Sequence, residues 1–393
     1  MRALCEALEW PQRRYRTLHV VGTNGKSSVT TMAAALLSGA GLGVGACLSP
    51  HVNRWAERTR IGGAEIGSDA FAAAVERVAA AIAAVEPGLA GGERITQFEA
   101  AIAVSFVAFA DADVDVAVVE AGLGGRLDAT NVIDSTATAL TSVGLDHVRF
   151  LGPTVLDIAA EKLAVLREGT TLVTGRLEPE VARLAAATAA ERHAELIVAP
   201  SLPAAPAWMV PFLARDAAVA VALATTVTGG LADAPIASAL AAARLPGRAE
   251  ILAGDPPWVA DAAHNEAGAE ALAEALPALA AGRPIVACLS LLADKDATAI
   301  AAALAPRIDR CVCTAADPGP AMGRPGSSAL AAGELARAVA ASGVECEALP
   351  DPAAAVARTA ELARDRGGVA LAAGSHYLLR YVWSARRDRS CSR

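Results

Sequence analysis

A chain of 393 residues exceeds what one hydrophobic core usually serves, so two domains are expected. Its composition, 54% hydrophobic with only 4% aromatic residues, excludes a disordered or fibrous chain and suits helices packed on strands. A net charge of -8, with no dense basic run before the last few residues, excludes a nucleic-acid backbone as partner and leaves small molecules.

The first ten residues carry Glu6 and Glu9 where a secretory signal needs its apolar stretch. Short β-rich runs then alternate with alanine-rich segments of helical length, the pattern of parallel strands joined by crossover helices, and the predicted class is α/β. Strands are expected near residues 18–21, 44–48, 114–120, 137–143, 170–174 and 195–199. A proline-rich stretch at 200–211 precedes helices predicted over 216–228 and 235–243. The longest uncharged run, 217–232, is shorter than the roughly 20 apolar residues of a membrane span, so no membrane partner is expected. Leu245, Pro246, Gly247 and Arg248 punctuate the chain, dividing a first domain, 1–245, from a second, 246–393. The second repeats the alternation, with strands near 258–261, 285–289, 310–314, 345–349 and 369–373.

Among 34 basic residues only Lys26, Lys162 and Lys295 are lysines, so wherever a generic positive charge suffices the chain uses arginine. Asparagine is as scarce, at Asn24, Asn53, Asn131 and Asn265, and most of these rare residues fall in polar clusters that follow predicted strands. The seven cysteines are scattered; Cys311 and Cys313 have no second pair to complete a zinc site, which points to reduced thiols in a cytoplasmic protein.

The first strand runs into Gly22, Thr23, Asn24, Gly25, Lys26, Ser27 and Ser28, and small and apolar residues at helical spacing follow. Strand, glycine loop, lysine and helix in that order make a phosphate-binding loop. The glycines let backbone N–H groups turn toward phosphate oxygens, and the helix N-terminus adds its dipole. Lys26 reaches the β and γ phosphates, and Ser27 or Ser28 approaches Mg²⁺. Glu120 ends a strand where a carboxylate can hold the bridging metal, and the glycine-rich segment 121–128 comes next. Asp146 and His147 close the following strand; read alone, His147 is equally a ligand or a packing residue. Lys162 lies in a helix predicted from about Thr154, with a surface lysine paired to a glutamate as the plain alternative. In the second domain Asp261, His264 and Asn265 follow one strand and Ser375, His376 and Tyr377 follow the last, at carboxyl edges where ligands of α/β sheets gather. His19 and His193 sit in no cluster and are expected to be structural.

Together these residues resemble the folate branch of the Mur ligase superfamily, dihydrofolate synthase and folylpolyglutamate synthase. The matches run in order along nearly the whole chain. They comprise the loop 22–28; Ser49, Pro50 and His51; Thr96, Gln97, Phe98 and Glu99; and the segment 120–131. They continue through Gly144, Leu145, Asp146 and His147; Glu161 and Lys162; Pro246, Gly247 and Arg248; 261–265; 293–296; and Gly374 and Ser375.

The resemblance implies a P-loop domain with a mostly parallel sheet followed by a smaller Rossmann-like domain, and an amide-forming ligase. ATP phosphorylates the acid, and the amine of L-glutamate attacks the acyl phosphate while closure excludes water. The expected substrates are dihydropteroate or a reduced folate, with glutamate. The implied cofactors are ATP and two Mg²⁺ ions, with a monovalent cation left open, in a cytoplasmic monomer. By position, Ser49, Ser28 and Glu120 look like ligands of one Mg²⁺ and His147 of the other, and Lys162 looks like the family's carbamylated lysine. Lys26, Lys162, Asp261 and His264 are the implied catalytic residues, and Arg248 joins Asp261 and His264 around the nucleotide. Thr96, Phe98, Gly122, Arg126 and Asp128 are candidates for the pterin and aminobenzoate wall, and Gly374 and Ser375 for the glutamate site.

The chain departs from the family's pattern in four places. Ser27 stands where glycine is usual, which leaves open which serine faces the metal; Asp216 replaces a common asparagine, and Ala262 a glycine. The short stretch before Gly22 is expected to lack the helix that often precedes this domain. That stretch also has no room for the extra domain of a cell-wall Mur ligase, and a P-loop GTPase would need neither Lys162 nor a second domain.

Overall fold

The computed structural model describes residues 1–202, 205–243, 245–317 and 327–390; part of the predicted proline-rich stretch (203 and 204) and Cys391 lie outside them. Two compact units divide the chain, Met1–Arg244 and Leu245–Arg393.

In the first unit the strands are β1 (Arg16–Val21), β2 (Val44–Cys47), β3 (Thr59–Ile61), β4 (Ala64–Glu65), β5 (Val116–Glu120), β6 (Ala137–Leu140), β7 (Thr171–Thr174) and β8 (Glu195–Val198). They form one sheet in the order β4-β3-β2-β5-β1-β6-β7-β8. From β2 to β8 all pairings are parallel, while β3 and β4 add an antiparallel hairpin at one edge. The inner strands are buried along their length because helices cover both faces, which is why they read as unbroken apolar runs. The hairpin was not predicted, since strands of three and two residues are too short to show alternation.

A helix, Arg2–Ala7, precedes β1 and buries Leu4 and Cys5, so the expectation that this stretch lacks a helix is corrected. The apolar helix Pro211–Thr228 starts earlier than predicted because Pro211 fits a helical first turn. By length and composition it could cross a membrane. Here Leu213, Ala217, Ala220, Leu223 and Ala224 are buried, and the helix packs on the one that follows the phosphate loop, Lys26–Gly39.

The second unit contains β9 (Glu250–Leu252), β10 (Trp258–Ala260), β11 (Ile285–Leu289), β12 (Arg310–Cys313), β13 (Cys346–Ala348) and β14 (Val369–Ala373), in the order β13-β12-β11-β14-β10-β9. Among the described residues five strands of this sheet are parallel and only β9, which was not predicted, is antiparallel. Its core is assembled from Val286, Cys288, Val312, Ala370 and Ala372 on the sheet and Val356, Leu378, Leu379 and Val382 on helices.

Candidate active site

In the first unit, β5, β1 and β6 are neighbours, and the chain reverses its direction of travel across the sheet there, the position at which open α/β sheets bind ligands. The loop after β1 is braced by the segment after β6. Thr23 N–H donates to Ser142 O at 2.8 Å, and the Thr141 and Ser142 hydroxyls donate to Asn24 O at 2.6 and 3.0 Å. Gly25 caps the helix Lys26–Gly39 at φ 85°, a conformation suited to glycine. A side chain there would also collide with the Asp216 carboxylate, so Asp216 lies against the loop itself.

Two lysines converge on this loop. Lys26 Nζ donates to the carbonyls of Gly22 and Thr23, both at 3.1 Å, and Lys162 Nζ donates to Gly22 O at 2.8 Å. Lys162 comes from the helix Val155–Leu163, whose start is fixed by a reciprocal cap between Thr154 and Asp157. It is buried, and burial together with the charge of Lys26 pulls its ammonium down to about 7, against the opposing pull of Asp146 and Asp128.

Glu120, also buried, gathers the metal-type oxygens. Its carboxylate accepts from the Ser27 hydroxyl at 2.8 Å and from Ser49 N–H at 2.9 Å, and Ser27 Oγ lies 3.3 Å from Ser49 O. The Ser28 hydroxyl, by contrast, is buried with no hydrogen-bond partner among the described residues. The geometry therefore puts Ser27, not Ser28, at the carboxylate. His147 sits at φ 53°, with its N–H donating to Asp146 Oδ1 at 2.8 Å. Among the described residues no three His, Cys, Asp or Glu side chains gather as a metal site. The hard oxygens of Ser27, Ser49 and Glu120 suit Mg²⁺, whereas an unmodified Lys162 ammonium does not.

Beside them lies an aromatic patch. A side chain on Gly122 would strike the Phe98 ring, and the Arg58 guanidinium lies 4.9 Å from the Trp55 ring centre and 5.9 Å from that of Phe98. Arg58 Nε donates to His51 Nδ1 at 2.8 Å. Burial, then the Arg58 charge, lowers His51 to about 4 and keeps it neutral.

In the second unit, Asp261 Oδ2 accepts from Ala249 N–H at 2.7 Å and Oδ1 from Ala263 N–H at 2.8 Å, tying the turn that carries Arg248 to the end of β10. Burial raises the Asp261 carboxyl against the pull of Arg248. His264 Nδ1 contacts Ala262 O at 2.8 Å, and Asn265 caps the helix Glu266–Ala280. After β14, Gly374 at φ 97° packs on the Ser290 carbonyl, and Ser375 Oγ accepts from Tyr377 N–H at 3.2 Å.

Residues 247–376 match the model of the Mur ligase, glutamate ligase domain. The dihydrofolate synthase/folylpolyglutamate synthase of Mycobacterium tuberculosis is 34% identical over 353 residues, which span 79% of this chain and 72% of that protein. The chain belongs to the dihydrofolate synthase/folylpolyglutamate synthase family. Two solved structures of the family extend the likeness. The Mycobacterium tuberculosis folylpolyglutamate synthase complexed with ADP matches with a TM-score of 0.90 at 31% identity, over 98% of this chain and 93% of that one. A bifunctional folylpolyglutamate synthase/dihydrofolate synthase with Mn, AMPPNP and L-glutamate bound matches at 0.83 and 30%, over 98% and 92%.

Within that family frame, the first unit gathers Gly22, Lys26, Ser27, Ser49, Glu120 and Lys162 through shared hydrogen bonds. Three predicted substrate residues serve local architecture. Thr96 caps the helix Gln97–Asp111, and Arg126 pairs with Glu161 at 2.8 Å. Asp128 gives both oxygens to Leu123 N–H and to the N–H and hydroxyl of Thr130. His51, Trp55 and Arg58 were not assigned a role from sequence; the crowding of His, Trp and Arg just after Ser49 and Pro50 was the available signal.

Proposed function

We propose that the chain joins the amine of L-glutamate to the carboxylate of a folate-type acid, dihydropteroate or a reduced folate, with ATP converted to ADP and phosphate. Family membership makes it an ATP-dependent ligase of this class. The observation that carries the site assignment is the convergence of Lys26 and Lys162 on the Gly22 carbonyl beside the Ser27, Ser49 and Glu120 cluster.

In this reading the loop N–H groups and Lys26 hold the triphosphate while a substrate carboxylate oxygen attacks the γ-phosphorus and ADP leaves. Lys26 meets the charge that builds on the transferred phosphoryl group. Ser27, Ser49 and Glu120 would hold a Mg²⁺ ion, which supplies charge neutralisation between phosphates when bound. Lys162 is the candidate for carbamylation. Its buried amine adds to CO₂, releasing one proton, and the resulting anion would serve a second ion with His147. Phe98, Gly122 and the Trp55 and Arg58 patch offer a flat aromatic wall to a pterin, and Gly374 and Ser375 a place for the amino acid.

Residues 1–245 would carry the nucleotide chemistry and 246–393 the glutamate-ligase part, in a cytoplasmic monomer; the six cysteines among the described residues are free thiols, which suits a reducing compartment. Release of ADP with dihydropteroate plus glutamate, set against tetrahydrofolate plus glutamate, tests the assignment and separates its two acids. Turnover with neither would overturn it.

A further inference from the structure

His19 is fully buried in β1, the strand between β5 and β6, where its neighbours Leu18, Val20 and Val21 are apolar. An imidazole in that place costs free energy that an aliphatic side chain would not, the more so because its Nδ1 has no hydrogen-bond partner among the described residues. What the ring gains is a bond to Thr130, whose Oγ1 lies 2.8 Å from Nε2. The Thr130 hydroxyl gives its single proton to Asp128 Oδ1 at 2.5 Å, so toward His19 it accepts, and Nε2 carries the imidazole proton. Asp128 also takes Thr130 N–H on Oδ1 at 3.0 Å and Leu123 N–H on Oδ2 at 2.8 Å. Three side chains thus form one directed hydrogen-bond chain from a central strand to the glycine-rich segment 121–128.

Both ends of that chain are anchored. Beyond Thr130, the Arg167 guanidinium donates to Asn131 O at 2.8 Å and to Ile133 O at 2.8 and 3.1 Å. At the other end Leu123 follows Gly122, which lies against the Phe98 ring. We propose that His19 is a positioning residue for the folate-type acid: through Thr130 and Asp128 it holds segment 122–128 in the shape that completes the pterin wall beside Phe98. The inference rests on the proposed ligase function. With its proton on Nε2, His19 turns the Thr130 hydroxyl toward the Asp128 carboxylate, and the carboxylate in turn holds Leu123 N–H. Breaking the chain slackens the wall and weakens binding of the acid before and during reaction alike, which raises KM and leaves kcat in place. The phosphate loop is braced separately by Thr141 and Ser142, so ATP is spared.

Steady-state kinetics of the full chain with ATP, Mg²⁺, L-glutamate and whichever of dihydropteroate and tetrahydrofolate it ligates test this. His19→Leu and Thr130→Val break the chain, whereas His19→Gln keeps an N–H donor and Thr130→Ser keeps the hydroxyl. In the first two, KM for the acid should rise about tenfold, as loss of a hydrogen bond to a charged group does, while kcat and KM for ATP stay within about twofold. The conservative pair should recover most of the affinity. Thr130→Val is close to threonine in shape and keeps the test open should His19→Leu not fold. An unchanged KM for the acid in Thr130→Val, equal rises in both KM values, or Thr130→Ser as impaired as Thr130→Val would overturn the positioning role. If the unsubstituted chain turns over neither acid, it is the ligase reading that falls.

Discussion

Lys26 and Lys162 donate to the same carbonyl oxygen, that of Gly22, at 3.1 and 2.8 Å. Two ammonium groups on one acceptor repel each other, and the repulsion is relieved by an anion beside them or by making one of the lysines an anion. These remedies separate the two residues experimentally. Lys26→Ala should lower turnover on the order of a hundredfold or more, as removal of a charge that stabilises a developing anion does, and no added acid should restore it. Lys162→Ala should lose most activity and regain part of it with short-chain carboxylic acids, which stand in for the carbamate. Initial rates with and without acetate or propionate check both; full activity of Lys162→Ala would remove the carbamate from the account.

The contact between Ser27 and Glu120 carries a metal prediction. Glu120→Gln should weaken activation by Mg²⁺ strongly, because the carboxylate is the one anionic member of that oxygen cluster. Ser27→Ala should shift the Mg²⁺ concentration for half-activation more than Ser28→Ala does, since Ser27 hydrogen-bonds the carboxylate and Ser28 has no such bond among the described residues. Mg²⁺ titrations of the three variants decide it, and a larger effect from Ser28 would reverse the assignment.

Gly122 and Phe98 make a steric prediction. A methyl group at 122 would strike the Phe98 ring, and overpacking of this kind costs about 1–3 kcal/mol. Gly122→Ala should therefore raise KM for the folate-type acid while leaving KM for ATP near its original value, and adding Phe98→Leu should relieve part of the loss. Steady-state kinetics with each substrate varied check it; an unchanged KM for the acid would take Phe98 off the pterin wall.

His19 links the loop to acid stability. Its Nε2 lies 2.8 Å from Thr130 Oγ1, whose own proton goes to Asp128, so Nε2 is the donor and Nδ1 is left buried with no partner among the described residues. Burial, reinforced by the charge of Arg167, lowers His19 from 6.5 to about 3. The unfolded chain thus takes up a proton near pH 6.5 that the folded chain refuses until about pH 3. The sign follows: stability is full above the upper limit and is lost as pH falls through this window. His19→Gln should remove that dependence, so the gap in urea midpoint from the unsubstituted chain should narrow between pH 7 and about pH 4.5. A gap that stays constant with pH would contradict the burial of a neutral His19.

Much of this was legible in the sequence for an identifiable reason. Strands buried on both faces leave continuous apolar runs, and the scarcity of lysine made Lys26 and Lys162 stand out. The choice between Ser27 and Ser28 was not legible, because it depends on the phase of the helix as it leaves Gly25. Nor were the hydrogen bonds that Asp128 accepts from Leu123 and Thr130 within its own loop. The bond from Arg58 to His51 spans an irregular segment with no periodicity to read. His19 stood out as one of only six histidines, but its partner Thr130 lies 111 residues away and could be found only once the fold was known.

The most direct test of the central claim is the stoichiometry of the complete reaction. With dihydropteroate or tetrahydrofolate, L-glutamate, ATP and Mg²⁺, mass spectrometry should show the acid heavier by one glutamyl residue for each ADP and phosphate released, and no product when glutamate is withheld. ATP hydrolysis at the same rate without glutamate, or without a new amide, would contradict it.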